Sequence, residues 1–253
     1  MRRSLLLPVT AVAAIGAACT SVSSAQQGPP VRPNGPAPLY VAVGASDSVG
    51  VGAADPLRQS WPAVFFQTAL PASARFVDLG VPGITVSDAL VQEVPAAVSL
   101  RPNVVTVWLN VNDLIDGVDP AKYGHELTEL LQDLRRGGLT QVLVANTPPV
   151  ESFPAYRACL PFATGAGGCD TSRRAPTPAA VAAIVAAYNR AIDGAARATG
   201  SHVVDLYAAT QRLVRSGHLR AFLGPDDFHP NAAGYRIVAA TFDRAYRTLS
   251  PPG

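Results

Sequence analysis

Cysteine is scarce in this 253-residue chain: Cys19, Cys159 and Cys169 are the whole supply. The pair Cys159 and Cys169, with their neighbours, offers too few ligands for a metal site, so no metal is expected. Charge is also sparse, at 15% of residues, and there is no basic run and no interleaving of aromatic with basic side chains. Nucleic acid is therefore not an expected partner. After the first 25 residues no stretch is long and apolar enough to span a bilayer. The chain as a whole is 48% hydrophobic, enough for one sizeable core.

Acidic residues are missing altogether from Met1 to Ala25, where Arg2 and Arg3 precede a run from Leu5 to Ala18. This is the layout of an export signal, too short and too interrupted by Pro8 and Gly16 for a membrane span. Cleavage after Ala25 is the preferred expectation. The alternative is lipidation at Cys19, because Gly16-Ala17-Ala18-Cys19 resembles a lipoprotein box, although Gly16 stands where a larger aliphatic residue is usual. A membrane partner is expected only through such an anchor. Loss of residues 1–25 removes two arginines and no acid, taking the formal charge from +2 to zero. Residues 26–37 form a Pro/Gly-rich linker, and residues 38–253 form the folded domain. In an extracytoplasmic compartment Cys159 and Cys169 are expected to form a disulfide.

Short apolar strands alternate with amphipathic helices along the domain. Strands are expected at Tyr40–Gly44, Arg75–Leu79, Asn103–Leu109, Gln141–Ala145 and His202–Leu206, the third being the most β-branched. Helices are expected from Trp61 to Leu70, from Ser87 to a break at Pro95, and from Asp119-Pro120 to a stop at Gly137-Gly138. Another runs from Thr177-Pro178 to Gly200 with Val181, Ile184, Val185, Tyr188 and Ile192 on its apolar face, and a last one carries Tyr235, Val238 and Phe242. Asn146–Pro176 reads as a long irregular insertion beside the site. The alternation predicts a parallel sheet covered on both faces.

Polar residues interrupt the pattern where strands end. The first strand delivers a serine into a Gly-rich turn, the edge at which open α/β sheets display reactive groups. A serine nucleophile needs an imidazole base, and the imidazole needs an acceptor that fixes its tautomer. Of four histidines, His229 has a carboxylate three residues earlier, Asp226, in a loop before a helix; His125, His202 and His218 lack that setting. Gly83 and Asn112 can stabilise an oxyanion through a backbone N–H and a carboxamide.

These stretches together resemble the GDSL, or SGNH, hydrolase family over nearly the whole domain. Gly44-Ala45-Ser46-Asp47-Ser48-Val49-Gly50-Val51-Gly52 matches the nucleophile block, and its glycine register selects Ser46 over Ser48. Gly80-Val81-Pro82-Gly83-Ile84-Thr85, Asn110-Val111-Asn112-Asp113 and Asp226-Asp227-Phe228-His229-Pro230 match the other three blocks in order. The resemblance implies a flavodoxin-like three-layer α/β/α sandwich with a five-stranded parallel sheet. It also implies a Ser46, His229, Asp226 triad, an oxyanion hole of the Ser46 and Gly83 amides with the Asn112 side chain, and no cofactor. Ala45, Asp47 and Asn110 depart from the blocks, standing where Asp, Leu and Gly are usual. The expected substrate is a small-molecule, lipid or glycan ester, with short acyl groups favoured by the lack of an obvious lid helix. An acyltransferase using the same residues and an inactive surface-binding protein are the alternatives. The α/β-hydrolase elbow Gly-x-Ser-x-Gly is not met, because its fifth position is Ser48.

Overall fold

Alternation along β1 (Leu39–Gly44) sends Leu39, Val41 and Val43 to one face and Tyr40 and Ala42 to the other, and both sets are buried. A strand covered on both sides belongs inside a parallel sheet. In the computed structural model, which describes residues 37–160 and 175–249, it pairs in parallel with β2 (Arg75–Asp78) and β3 (Val104–Trp108). β4 (Gln141–Ala145) and β5 (His202–Val204) extend the sheet on the far side, giving the order β2-β1-β3-β4-β5. The fold is thus an α/β fold with a five-stranded all-parallel sheet. The chain leaves β1 for β2 and then returns to build β3 on the opposite side. Between the carboxyl ends of β1 and β3 lies the switch point at which such sheets bind ligands.

Ten helices among the described residues connect and cover the strands: α1 (Pro56–Gln59), α2 (Trp61–Ala69), α3 (Val86–Gln92), α4 (Val94–Ser99), α5 (Val111–Ile115), α6 (Pro120–Arg135), α7 (Pro154–Ala158), α8 (Pro178–Thr199), α9 (Leu206–Arg215) and α10 (Ala232–Tyr246). One layer packs α3, α4, α6 and α8 on Val41, Val43, Val105, Val107 and Val144. The other packs α2 and α10 on Tyr40, Ala42 and Trp108, with Trp61 stacked on Phe242 at 4.3 Å. Local signals set the helix ends. Asp119 accepts from the N–H groups of Ala121 and Lys122 to start α6, and Thr177 caps Ala180 to start α8. Gly200 at φ 69° ends α8 in the left-handed region.

Several sequence expectations need adjusting. Pro95 does not break a helix: α3 ends at Gln92, and Pro95 sits in the first turn of α4, where its missing N–H costs nothing. The left-handed stop of α6 falls on Arg136 (φ 49°), one residue before the glycines. Of the insertion Asn146–Pro176, residues 161–174 lie outside the described residues, and the described part before them is less irregular than its composition indicates. Val150–Ser152 makes a 3-10 turn before α7, and Val150 and Phe153 pack on Val181 and Val185 of α8, because those apolar residues find a hydrophobic surface there. Ile184 is 37% exposed, since it lies to one side of the stripe through Val181, Val185, Tyr188 and Ile192. The fifth strand stops at Val204, because Asp205 caps Ala208 and opens α9. The stretches expected to be an export signal and, up to residue 36, a linker, together with Cys19 and Cys169, lie outside the described residues.

Candidate active site

Beyond β1 the chain turns tightly, with Ser48 N–H donating to Ala45 O and Val51 N–H donating to Ser46 O. This turn separates the two serines. Ser46 Oγ is 2.8 Å from His229 Nε2, whereas Ser48 is fully buried and its hydroxyl has no partner among the described residues. Gly44 is required by that arrangement, since a Cβ there would lie 2.0 Å from Ser48 Oγ. Gly52, at φ +94°, brings the serine turn against the histidine loop; a Cβ on it would come within 2.6 Å of the Pro230 carbonyl.

The Asp226–His229 loop organises itself. Asp226 Oδ1 accepts from the backbone N–H of Phe228 and of His229, both at 3.0 Å, and Oδ2 lies 2.5 Å from His229 Nδ1. Burial by itself would raise the Asp226 carboxyl. The hydrogen bond from His229, the two backbone donors and the imidazole charge outweigh it and hold the group below its ordinary value. Asn231 was not anticipated from the sequence. It caps α10 through Oδ1 and donates Nδ2 to the carbonyls of Ala221 and Leu223, tying down the chain on both sides of His229. Its signal was an Asn directly before the last helical run.

Asn112 and Gly83 approach each other through a neighbour. Asn112 Nδ2 donates to the carbonyl of Ile84 at 2.8 Å, which leaves its second N–H free, and Asn112 and Ser46 line one small hollow. Gly83 is exposed, with φ +81° and open space where a Cβ would stand. It is not among the residues lining that hollow. The N–H groups of Ser46 and Gly83 have no acceptor among the described residues.

Two buried carboxylates hold this edge in place. Glu93, 1% exposed, accepts from Gly44 N–H at 3.0 Å and Val81 N–H at 3.1 Å, linking the end of β1 to the glycine loop. Burial pushes its carboxyl up to about 8, against the two backbone donors. Asp113, fully buried, accepts from Val86 N–H through both oxygens and is raised to about 6, again chiefly by burial. The sequence held a signal for Glu93: Val86, Ala89, Glu93 and Ala97 share one helical stripe, and a carboxylate on an apolar stripe needs donors. Asp47, beside Ser46, is also raised to about 6, by burial first, while the His229 charge lowers it. Among the described residues no group of three or more His, Cys, Asp or Glu could hold a metal ion.

This geometry sits in a recognisable lineage. The profile of the GDSL-like lipase/acylhydrolase family matches residues 42–237, and the chain belongs to that family. Solved structures share the fold. The lipase/acylhydrolase from Enterococcus faecalis is 19% identical, with a TM-score of 0.60 over 85% of this chain and 99% of that one. TesA is 20% identical, with a TM-score of 0.61 over 84% and 99%. The acetyl xylan esterase AlAXEase is 16% identical, with a TM-score of 0.60 over 84% and 100%. No curated protein sequence matches significantly.

Proposed function

We propose that this chain is an exported serine hydrolase that cleaves short-chain carboxylic esters through an acyl-enzyme. The observation that carries the reading is the unbroken line from Asp226 Oδ2 to His229 Nδ1 at 2.5 Å and from His229 Nε2 to Ser46 Oγ at 2.8 Å. With Nδ1–H donating to Asp226, Nε2 carries the lone pair that accepts the serine proton. Ser46 Oγ then attacks the acyl carbonyl, and the imidazolium passes that proton to the departing alcohol. Water repeats the sequence and releases the acid. Negative charge on the carbonyl oxygen meets the Ser46 and Gly83 N–H groups and the free Asn112 N–H, fixed donors that need little reorganisation. Glu93 and Asp113 hold the strands and loops that carry these donors.

Hydrolysis of an ester series from acetyl to long-chain, by the protein and by Ser46→Ala prepared identically, tests the reading. Serine-dependent turnover that declines with chain length is expected. Equal rates in the two proteins would overturn it. Export rests on the residue pattern of Met1–Ala25. Amino-terminal sequencing of protein recovered outside the cytoplasm tests it: a start at Gln26 is expected, a blocked Cys19 would mean lipidation, and recovery only from the cytoplasm would refute export.

A further inference from the structure

Two of the three departures from the family blocks, Ala45 and Asp47, share one turn, and the third, Asn110, lies more than sixty residues on yet meets them in space. Ala45, Asp47 and Asn110 all line the hollow of about 10 Å³ that also holds Ser46 and Asn112. Asn110 is fixed there by donating Nδ2 to the Ala145 carbonyl at 3.2 Å, which leaves its buried Oδ1 as an acceptor with no partner. Trp108, another wall, has a buried Nε1–H with no acceptor. Asn110 is 2% exposed and Trp108 6%, so bulk water does not satisfy either atom. Asp47 adds a carboxylate that takes no hydrogen bond from any other described residue. Asp47 therefore brings an unmatched acceptor to the space beside Ser46, while Trp108 Nε1 and Asn110 Oδ1 are buried within its wall.

Behind this hollow lies a larger cavity of about 50 Å³. Asp47, Trp108, Val111 and Phe228 line both spaces, and the rest of the cavity wall is almost wholly apolar, from α9, α10, the loop between them, Pro148 and Phe153. Its size admits a few water-sized groups, as in a short alkyl end, and the hollow admits about one. Neither space is lined by His229. The leaving alcohol must lie against His229 Nε2 to receive its proton, so the part of an ester that enters here is the acyl part.

Resting on the ester-hydrolase reading, we propose that Ala45, Asp47, Trp108 and Asn110 form an acyl subsite selective for short acyl chains carrying a hydroxyl close to the carbonyl. A hydroxyl close to the carbonyl donates to the Asp47 carboxylate, which lines both spaces. Ala45 leaves the room, and the apolar cavity takes the end of the chain. An unsubstituted chain leaves the Asp47 carboxylate without a donor, which is how a site discriminates against an analogue lacking one hydroxyl.

The test is kcat/KM, by pH-stat, for the methyl esters of butyric, 2-hydroxybutyric and 3-hydroxybutyric acids. The protein is expected to prefer one of the hydroxy esters to butyrate by about tenfold, the scale of one hydrogen bond. In Asp47→Leu that ratio falls toward one; Asp47→Asn, which keeps an acceptor, retains part of it. Serine-dependent hydrolysis without preference for either hydroxy ester would overturn the subsite alone, as would a preference unchanged in both variants. Absence of Ser46-dependent hydrolysis of all three esters would overturn the hydrolase reading and the subsite with it.

Discussion

The two flanks of Ser46 are packed in opposite ways. Toward β2 and α3 the buried carboxylates are matched: Glu93 takes the N–H groups of Gly44 and Val81, Asp113 takes Val86, and Asp78 takes Gly80. Toward α9 and α10 the walls are apolar, a cavity remains, and Trp108 Nε1 and Asn110 Oδ1 have no partner. A buried polar group left unmatched costs about 1–3 kcal/mol. The matched flank fixes the end of β1 that carries Ser46, and the other flank leaves a cavity beside it.

The largest effect tests what both flanks serve. Ser46→Ala is expected to lower kcat by about 10⁴–10⁶-fold with the fold intact, and Asp226→Asn by about 10⁴-fold, read as single-turnover ester cleavage with circular dichroism as the control. Retention of more than a tenth of the activity in either would remove the chemistry from this edge.

Next comes a contrast in stability. Glu93→Leu removes the carboxylate acceptor of Gly44 N–H and one of the two acceptors of Val81 N–H and is expected to cost about 1–3 kcal/mol in urea denaturation. Asp47→Leu puts an apolar side chain where the cavity wall is apolar and removes a partly buried carboxylate, so it is expected to stabilise by about 1 kcal/mol. If Asp47→Leu destabilised as much as Glu93→Leu, the two flanks would not differ as described.

The pH dependence of stability is a smaller effect. Glu93 is raised from 4.5 to about 8, and Asp47 and Asp113 from 3.8 to about 6. Each is raised, so the folded protein binds more protons than the unfolded chain between those values. Their contribution is complete below the unfolded values and is lost as pH rises through about 6 and then about 8. Asp226 is lowered and acts in reverse, its contribution being lost as pH falls. Urea midpoints are expected to decline on the alkaline side of neutrality, and Glu93→Gln to flatten that decline more than Asp47→Asn. A decline unchanged by Glu93→Gln would place the titration elsewhere. Coincident pH–rate profiles for the protein and Asp47→Ala would, in the same way, separate Asp47 from the base.

Legibility followed range. β3 and β4 showed as β-branched runs, and α6 and α8 carried their caps and periodicity in the chain itself, so their positions differ from expectation by a residue or two. Pro95 and Ile184 misled because a proline can open a helix as well as break one, and because the edge of an apolar stripe is set by what packs against it. The order of the blocks along the chain pointed to Ser46, Asn112, Asp226 and His229 without distances. Glu93 was overlooked because its partners, Gly44 and Val81, belong to other segments. The grouping of Ala45, Asp47 and Asn110 was invisible for the same reason.

Strand and helix patterning, the turn residues and the order of polar breaks are local properties, and the amino-acid sequence alone determined them, together with the parallel class of sheet and the family. Tertiary structure alone decided which buried carboxylates find backbone donors, and that Asn110 shares one hollow with Ala45 and Asp47. Those facts depend on the crossing of the chain between β1 and β3, which brings residues more than sixty positions apart into contact. Hydrogen bonds and cavities act over a few ångströms, and no pattern read along the chain measures that distance.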